Sequence, residues 1–303
     1  MALSPAAIQR GLFLFLCLVW GTNWLAMKVG TAEVPPGLFS GLRWSVAGAA
    51  LLVFLALRGT PVRVPPRLWG RIVWVSVMMI PLNAVIMLYG LRHISSGLAA
   101  VLNSALTPIA MVGFAAMLGQ ERFSRRHLGA LAVGVVGILV LYGPRAAIGD
   151  LETLEILGAT GVVLGNLAYC YSSVAARPLM RTLPPVHLVA ITNFIGGAIL
   201  LAFALAFEPG AREAARLQWS PLAWATWWYL LLPASLGATI ISFRLMRDWG
   251  AGRVGTYAFI SPIVAVLLGI AAADERLTPT DAAGMTLVLA AAGVALHRPK
   301  VGG

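Results

Sequence analysis

The sequence predicts an all-α integral membrane protein: ten transmembrane helices arranged as two inverted five-helix repeats, with the N and C termini both cytoplasmic. Three observations lead there. The chain has 303 residues, 59% hydrophobic and only 11% charged, with a mean hydropathy of +0.86, which is more apolar surface than a soluble domain could hide. Its apolar residues gather into ten runs, each near the roughly 20 residues that a helix needs to cross a bilayer. Finally, the stretch LAAVLNSALTPIAMVGFAAML at 98–118 returns 154 residues later as GRVGTYAFISPIVAVLLGIAA at 252–272.

In that register Asn103 meets Tyr257, Thr107 meets Ser261, Pro108 meets Pro262, and Glu121-Arg122 meets Glu275-Arg276. Nearer the start of each half the offset is 149, with Trp20 on Tyr169, Lys28 on Arg177 and Gly48-Ala49-Ala50-Leu51-Leu52 on Gly197-Ala198-Ile199-Leu200-Leu201. The chain therefore divides into two units, 1–148 and 149–303, each holding five spans.

Span one, 11–29, follows Arg10 and has no small-residue cleavage site behind it, so it reads as a retained helix and not a signal peptide. Span two, 38–57, ends at Arg58 before the Pro-rich basic loop 59–66. Span three, 69–91, carries Pro81 and Asn83 near its middle, and spans four and five follow at 95–118 and 128–142. A polar connection with Asp150, Glu152 and Glu155 separates the halves. Spans six to ten then occupy about 156–176, 186–207, 222–243, 254–272 and 281–296.

Charge orients these spans. Of the 22 Lys and Arg, fifteen fall at the termini and even-numbered turns, five fall on the opposite side, and Lys28 and Arg43 lie within or at the edge of spans. The richer side is cytoplasmic by the positive-inside rule, which also explains the formal charge of +11 without nucleic acid. Five spans per repeat force the second half to cross in the opposite sense. Two such halves share a pseudo-two-fold axis in the membrane plane, and exchanging their conformations turns an inward-open molecule outward-open. That is the logic of a carrier.

The opening Trp20-Gly21-Thr22-Asn23-Trp24 to Lys28, the Gly90-Leu91-Arg92 to Ser96-Gly97 corner, Pro108, and the Gln120-Glu121-Arg122 exit before a Gly-rich span resemble the EamA half of the drug/metabolite transporter superfamily. The second half resembles it through Pro262 and Glu275-Arg276. Within that superfamily the chain is similar to amino-acid and metabolite exporters of the YddG type. The resemblance implies a multi-pass protein of the inner (plasma) membrane, with a central cavity lined by spans one, three, four, six, eight and nine. It does not name the solute.

The residues themselves suggest the cavity's lining. Span four places Asn103 and Thr107 on one stripe, matched by Tyr257 and Ser261 in span nine. Polar side chains avoid lipid, so these face the axis or else bond neighbouring helices. Span one aligns Trp20, Asn23 and Trp24, and span six puts Tyr169 and Ser172 at equivalent points. Rings beside amides and hydroxyls suit a solute with an apolar body and polar ends, although plain packing is the alternative. Asn83 and Tyr89 in span three are further candidates. Pro108 and Pro262 each remove a helical hydrogen bond, making a matched pair of kinks suited to gating or merely to packing.

Absences shape the mechanism. All eleven acidic residues and all four His lie in loops or at span ends, which favours uncoupled efflux or exchange over obligatory proton coupling. No ligand cluster suggests a metal or cofactor, and no acid, base and nucleophile group together as a membrane enzyme acting on lipid-linked substrates requires. Cys17 and Cys170 sit in apolar runs and read as core residues, not as a disulfide. The expected function is a carrier exporting small amphipathic metabolites, amino acids foremost, including aromatic and hydrophobic ones. Its partners are the solute and the lipid bilayer; nucleic acid is excluded, and no motif encodes an oligomeric state. Drug or nucleotide-sugar transport is the alternative, the latter calling for several interior cations to hold phosphates.

Overall fold

The computed structural model describes residues 5–94, 96–120 and 153–249, together with isolated positions elsewhere that include Val254, Tyr257 and Ser261. Spans five and ten, the Glu121-Arg122 and Glu275-Arg276 corners, and Pro262 lie wholly or almost wholly outside the described residues. The regular structure described is helical throughout. Six of its helices are long and apolar enough to cross a bilayer: Ala7–Glu33, Pro36–Leu57, Pro66–Leu91, Thr153–Arg181, Pro185–Phe207 and Pro221–Trp249. A seventh, Ser96–Met117, occupies span four. These are spans one to four and six to eight, and the chain is a multi-pass membrane protein.

Helix ends follow local chemistry. Spans two and seven both begin at a Pro-Pro step, Pro35-Pro36 and Pro184-Pro185, with cap dihedrals of φ −51°, ψ 128° and φ −55°, ψ 143°. Proline has no N–H to waste at a helix start and its φ is already helical. Span eight starts at Ser220, whose hydroxyl accepts a hydrogen bond from the Ala223 amide at 3.1 Å. Spans two and four stop at Gly59 and Gly119, whose φ of 69° and 67° only glycine adopts without strain.

The two halves meet most closely where spans two and seven cross. A Cβ placed on Gly48 would lie 2.2 Å from the Phe194 nitrogen, and one placed on Gly197 would lie 2.3 Å from the Ser45 nitrogen. The contact is reciprocal: Gly48 and Gly197, and equally Ser45 and Phe194, stand 149 residues apart. Each partner thus repeats the other's role, as residues do across a two-fold axis. A second reciprocal pair joins neighbouring spans. Thr107 Oγ1 donates to Asn166 Oδ1 at 3.1 Å, and Ser261 Oγ donates to the Cys17 carbonyl at 3.2 Å. Asn166 is the residue 149 beyond Cys17.

The regular α-helical ladder is interrupted in spans three and eight. Each contains a π-helical segment around a proline, Met78–Leu82 around Pro81 and Leu230–Ala238 around Pro233. Proline cannot supply the N–H of the i→i−4 ladder, and side-chain hydroxyls reach carbonyls within the wider turn. In span eight Ser235 Oγ donates to the Leu230 carbonyl at 3.0 Å and Thr239 Oγ1 to that of Ala234 at 3.1 Å. Span four, by contrast, runs through Pro108 as one α-helix.

On one face of the membrane the helix ends are tied by carboxylates. Glu208, at the end of span seven, accepts hydrogen bonds from the Gly37 and Leu38 amides at 3.0 and 2.9 Å and from the Tyr89 hydroxyl at 2.7 Å. A carboxylate at a helix N-terminus meets two orphan donors and the positive end of the dipole. Beside it Glu33 accepts from the Ser220 amide at 2.8 Å, and Arg92 donates to the Thr31 carbonyl at 3.2 Å. Trp219 and Trp227, in positions that suggest interfacial anchors, are instead buried, and Trp227 donates to the Phe39 carbonyl at 3.2 Å.

Candidate solute cavity

Between the spans lies an open cavity with about 1030 Å³ of empty space, including its mouth. Span one contributes Trp20, Asn23 and Trp24 to its wall, and span three contributes Asn83. Asn103, Tyr169, Tyr257 and Ser261 enter from spans four, six and nine. Eight of the eleven side chains expected at a solute site are thereby brought together.

Three aromatic rings define the centre. Trp20 and Tyr169, equivalent residues of the two halves, meet edge to face with centroids 6.4 Å apart. Tyr257 packs against Trp20 at 4.3 Å, again edge to face. Such pairs fix ring orientation beyond what area burial does, and they present an apolar wall of defined shape. Amides interrupt it: Asn83 Nδ2 donates to the Gly165 carbonyl at 2.8 Å, and Asn193 Nδ2 to that of Ser235 at 3.5 Å. The π-helical segments border the same space through Met79, Ile80 and Ala234.

Thr107, Ser172 and Tyr89 stand off the cavity. Thr107 is fully buried and its hydroxyl donates to the Asn103 carbonyl at 2.6 Å as well as to Asn166. Asn166 Nδ2 adds a 3.0 Å bond to the Asn103 carbonyl, so this cluster holds spans four and six together. Ser172 Oγ is spent on the Tyr169 carbonyl at 2.8 Å. Tyr89 belongs to the Glu208 network. Pro108 lies one residue from Thr107 in the same helix.

Sequence reasoning passed over several lining residues. Ser40, Arg43 and Trp44 come from span two, and Asn193 from span seven, neither of which was expected to line the cavity. Arg43 is 4% exposed and Ser40 1%. A cation eight residues into a 22-residue membrane helix was the available signal. Cys17 and Cys170 are buried and free.

Comparison with known proteins adds the following. The sequence profile of the EamA-like transporter family matches residues 10–143 and again residues 156–296. The chain is 26% identical over 274 residues to the uncharacterized inner membrane transporter YedA of Escherichia coli (strain K12), covering 89% of this chain and 85% of that one. It is 24% identical over 282 residues to the aromatic amino acid exporter YddG of Ancylobacter novellus, covering 92% and 93% of the two chains. A solved crystal structure shares the fold with a TM-score of 0.67 at 21% identity, over 95% of this chain and 96% of that one.

Proposed function

The chain belongs to the EamA-like transporter family, and from that premise we propose that it is a carrier exporting small amphipathic metabolites, amino acids foremost, by alternating access in the inner membrane. One observation carries the reading. The cavity where the halves meet sets the rings of Trp20, Trp24, Tyr169 and Tyr257 beside the amides of Asn23, Asn83, Asn103 and Asn193, a lining that matches a solute with an apolar side chain and polar ends. The relative named as an aromatic amino acid exporter and the one named as an inner membrane transporter lend support. Drugs and nucleotide sugars are the other solute classes; a single interior cation among the described lining residues argues against a polyphosphate.

Ten spans in two inverted repeats, divided near residue 149 and with cytoplasmic termini, form the architecture of the proposal. The reciprocal Gly48–Phe194 and Gly197–Ser45 contacts and the paired Pro81 and Pro233 segments support it. In this mechanism the solute binds against the wall formed by Trp20, Tyr169 and Tyr257, and the halves exchange conformations around it. Pro108 and Pro262 bend spans four and nine during that exchange, while the π-helical turns at Pro81 and Pro233 let spans three and eight flex beside the site. The cavity lining holds no carboxylate or imidazole among the described residues, so transport follows the solute gradient.

Reconstitution tests this directly. Purified protein in liposomes should exchange labelled phenylalanine or tryptophan for internal unlabelled solute at the same rate with and without a pH gradient. Exchange that required the gradient would overturn the uncoupled mechanism, and no exchange of any amino acid would overturn the solute class.

A further inference from the structure

Buried polar atoms in folded proteins almost always have hydrogen-bond partners. Among the described residues, five buried side-chain atoms have none: Asn23 Oδ1, Ser40 Oγ, Arg43 Nε, Gln120 Oε1 and Ser173 Oγ. The first three line the cavity. Two are donors on one stripe of span two, since Ser40 and Arg43 are three residues apart on the helix. The third, from span one, is an acceptor.

Arg43 is the costly member. It lies about 10 Å along the helix from Pro36, at 1.5 Å per residue, well inside a hydrocarbon layer about 30 Å thick. An arginine there stays charged, and a buried charge needs a counter-charge. No carboxylate of the described residues pairs with it. Its guanidinium carbon lies 4.7 Å from the centre of the Trp44 ring, a contact that steers the planar group without neutralising it. The repeat does not explain it either, because the equivalent position in span seven is Thr192, whose hydroxyl is satisfied by the Leu188 carbonyl at 2.9 Å. A merely structural arginine would have its partner built in.

The geometry points to Arg43, with the Ser40 hydroxyl beside it, as the anchor for a carboxylate of the transported solute, and to Asn23 Oδ1 as the acceptor for that solute's ammonium group. The inference rests on the cavity being the solute site and narrows the solute to zwitterionic α-amino acids. Guanidinium and hydroxyl donors take the two carboxylate oxygens, the orphaned amide oxygen takes the amine, and the rings of Trp20 and Tyr257 receive the side chain. The bound solute thereby supplies the counter-charge that the helix bundle lacks.

The test uses the full-length protein in detergent and three probes that share a phenyl group: L-phenylalanine, phenylacetate and phenethylamine. Apparent affinities come from ligand-induced thermal stabilisation of the wild type, Arg43→Gln and Arg43→Lys. The wild type should bind phenylalanine about tenfold or more tighter than phenethylamine, the worth of one charge-assisted hydrogen bond. In Arg43→Gln that preference should vanish, while Arg43→Lys keeps part of it. Without ligand, Arg43→Gln should melt no lower than the wild type, because an unpaired buried charge has been removed. If Arg43→Gln does not fold, the wild-type probe comparison and Arg43→Lys still decide. Equal binding of phenethylamine and phenylalanine by the wild type would overturn the anchor and leave the cavity reading standing, as would undiminished preference in Arg43→Gln. Failure of all three probes on the wild type would overturn the amino-acid reading and the anchor with it.

Discussion

Replacing Gly48 by alanine puts a single methyl group into the tightest crossing of the fold. The new Cβ would lie 2.2 Å from the Phe194 nitrogen and 2.5 Å from its Cα, against ordinary contact at 3.4 Å and beyond. The obstacle is backbone in a helix, so no side-chain rotation relieves it and spans two and seven must part by roughly 1 Å. A gap of that size forfeits up to about half of the dispersion energy of each facing atom pair. Overpacking of this kind costs about 3 kcal/mol. Because the contact is reciprocal, Gly197→Ala should cost a similar amount through Ser45. The controls are Gly11→Ala and Gly70→Ala, helical positions with nothing within 4 Å of the added Cβ, where better helix propensity gains up to about 1 kcal/mol. Thermal unfolding of the four purified variants is the assay. If Gly48→Ala melts with Gly70→Ala, or if only one of the reciprocal pair is destabilised, the two-fold relation drawn from these contacts is wrong.

Further outcomes follow from the site and the topology. Asn103→Ala and Tyr257→Phe should each weaken solute affinity by about 1 kcal/mol, roughly fivefold, while melting temperature holds; a fall in stability without loss of affinity would make these residues helix contacts only. Glu208→Ala removes three hydrogen bonds to one carboxylate and should cost about 2 kcal/mol, read as a lowered melting temperature; an unchanged melting curve would refute the capping role. With Cys17 and Cys170 replaced, single cysteines at Arg63 and Arg125 should be labelled only from the cytoplasm and those at Glu152 and Arg212 only from outside. Labelling at Glu152 from the cytoplasm would break the ten-span arrangement.

The apolar runs predicted the seven described long helices well because hydropathy and bilayer thickness constrain them jointly. Their ends moved for local reasons. Span one continues to Glu33 and stops ahead of Pro35-Pro36, whose rings end a helix as surely as a polar loop does. Span eight runs on to Trp249 because its last turns, exposing Arg244 and Arg247, are amphipathic and not apolar. The pairing of Pro81 with Pro233 escaped notice because its offset is 152, between the two registers of 149 and 154. Turns of unequal length shift the register as the chain proceeds, so a fixed offset loses part of the repeat. Arg43 was masked by its own surroundings: one cation among apolar neighbours scarcely alters the hydropathy of a span, and its meaning emerges only when Ser40 and Asn23 are found unpartnered at the same cavity. Thr107 shows the converse, since its stripe was legible but its hydroxyl is shared between the Asn103 carbonyl and Asn166, and the second contact depends on how two helices rotate against each other.

Among the described residues the Glu208 network has no counterpart on the opposite face. The position 149 residues before Glu208 is Gly59, which has no carboxylate to offer, and the start of span seven is left to its own backbone, with His187 bonding the Pro184 carbonyl at 3.0 Å. In the proposed alternating-access mechanism, a clasp present in one orientation and unmatched in the other would set the two orientations at different energies even though the halves are alike, with the empty protein resting mostly on one side. Net flux cannot be rectified by this in an uncoupled carrier, where microscopic reversibility holds Vmax/KM equal for entry and exit. What the asymmetry sets is how that ratio is divided: low half-saturation with slow turnover from one side, and high half-saturation with fast turnover from the other. Zero-trans kinetics in both directions would display the division, and weakening the carboxylate clasp would draw the two half-saturation constants together.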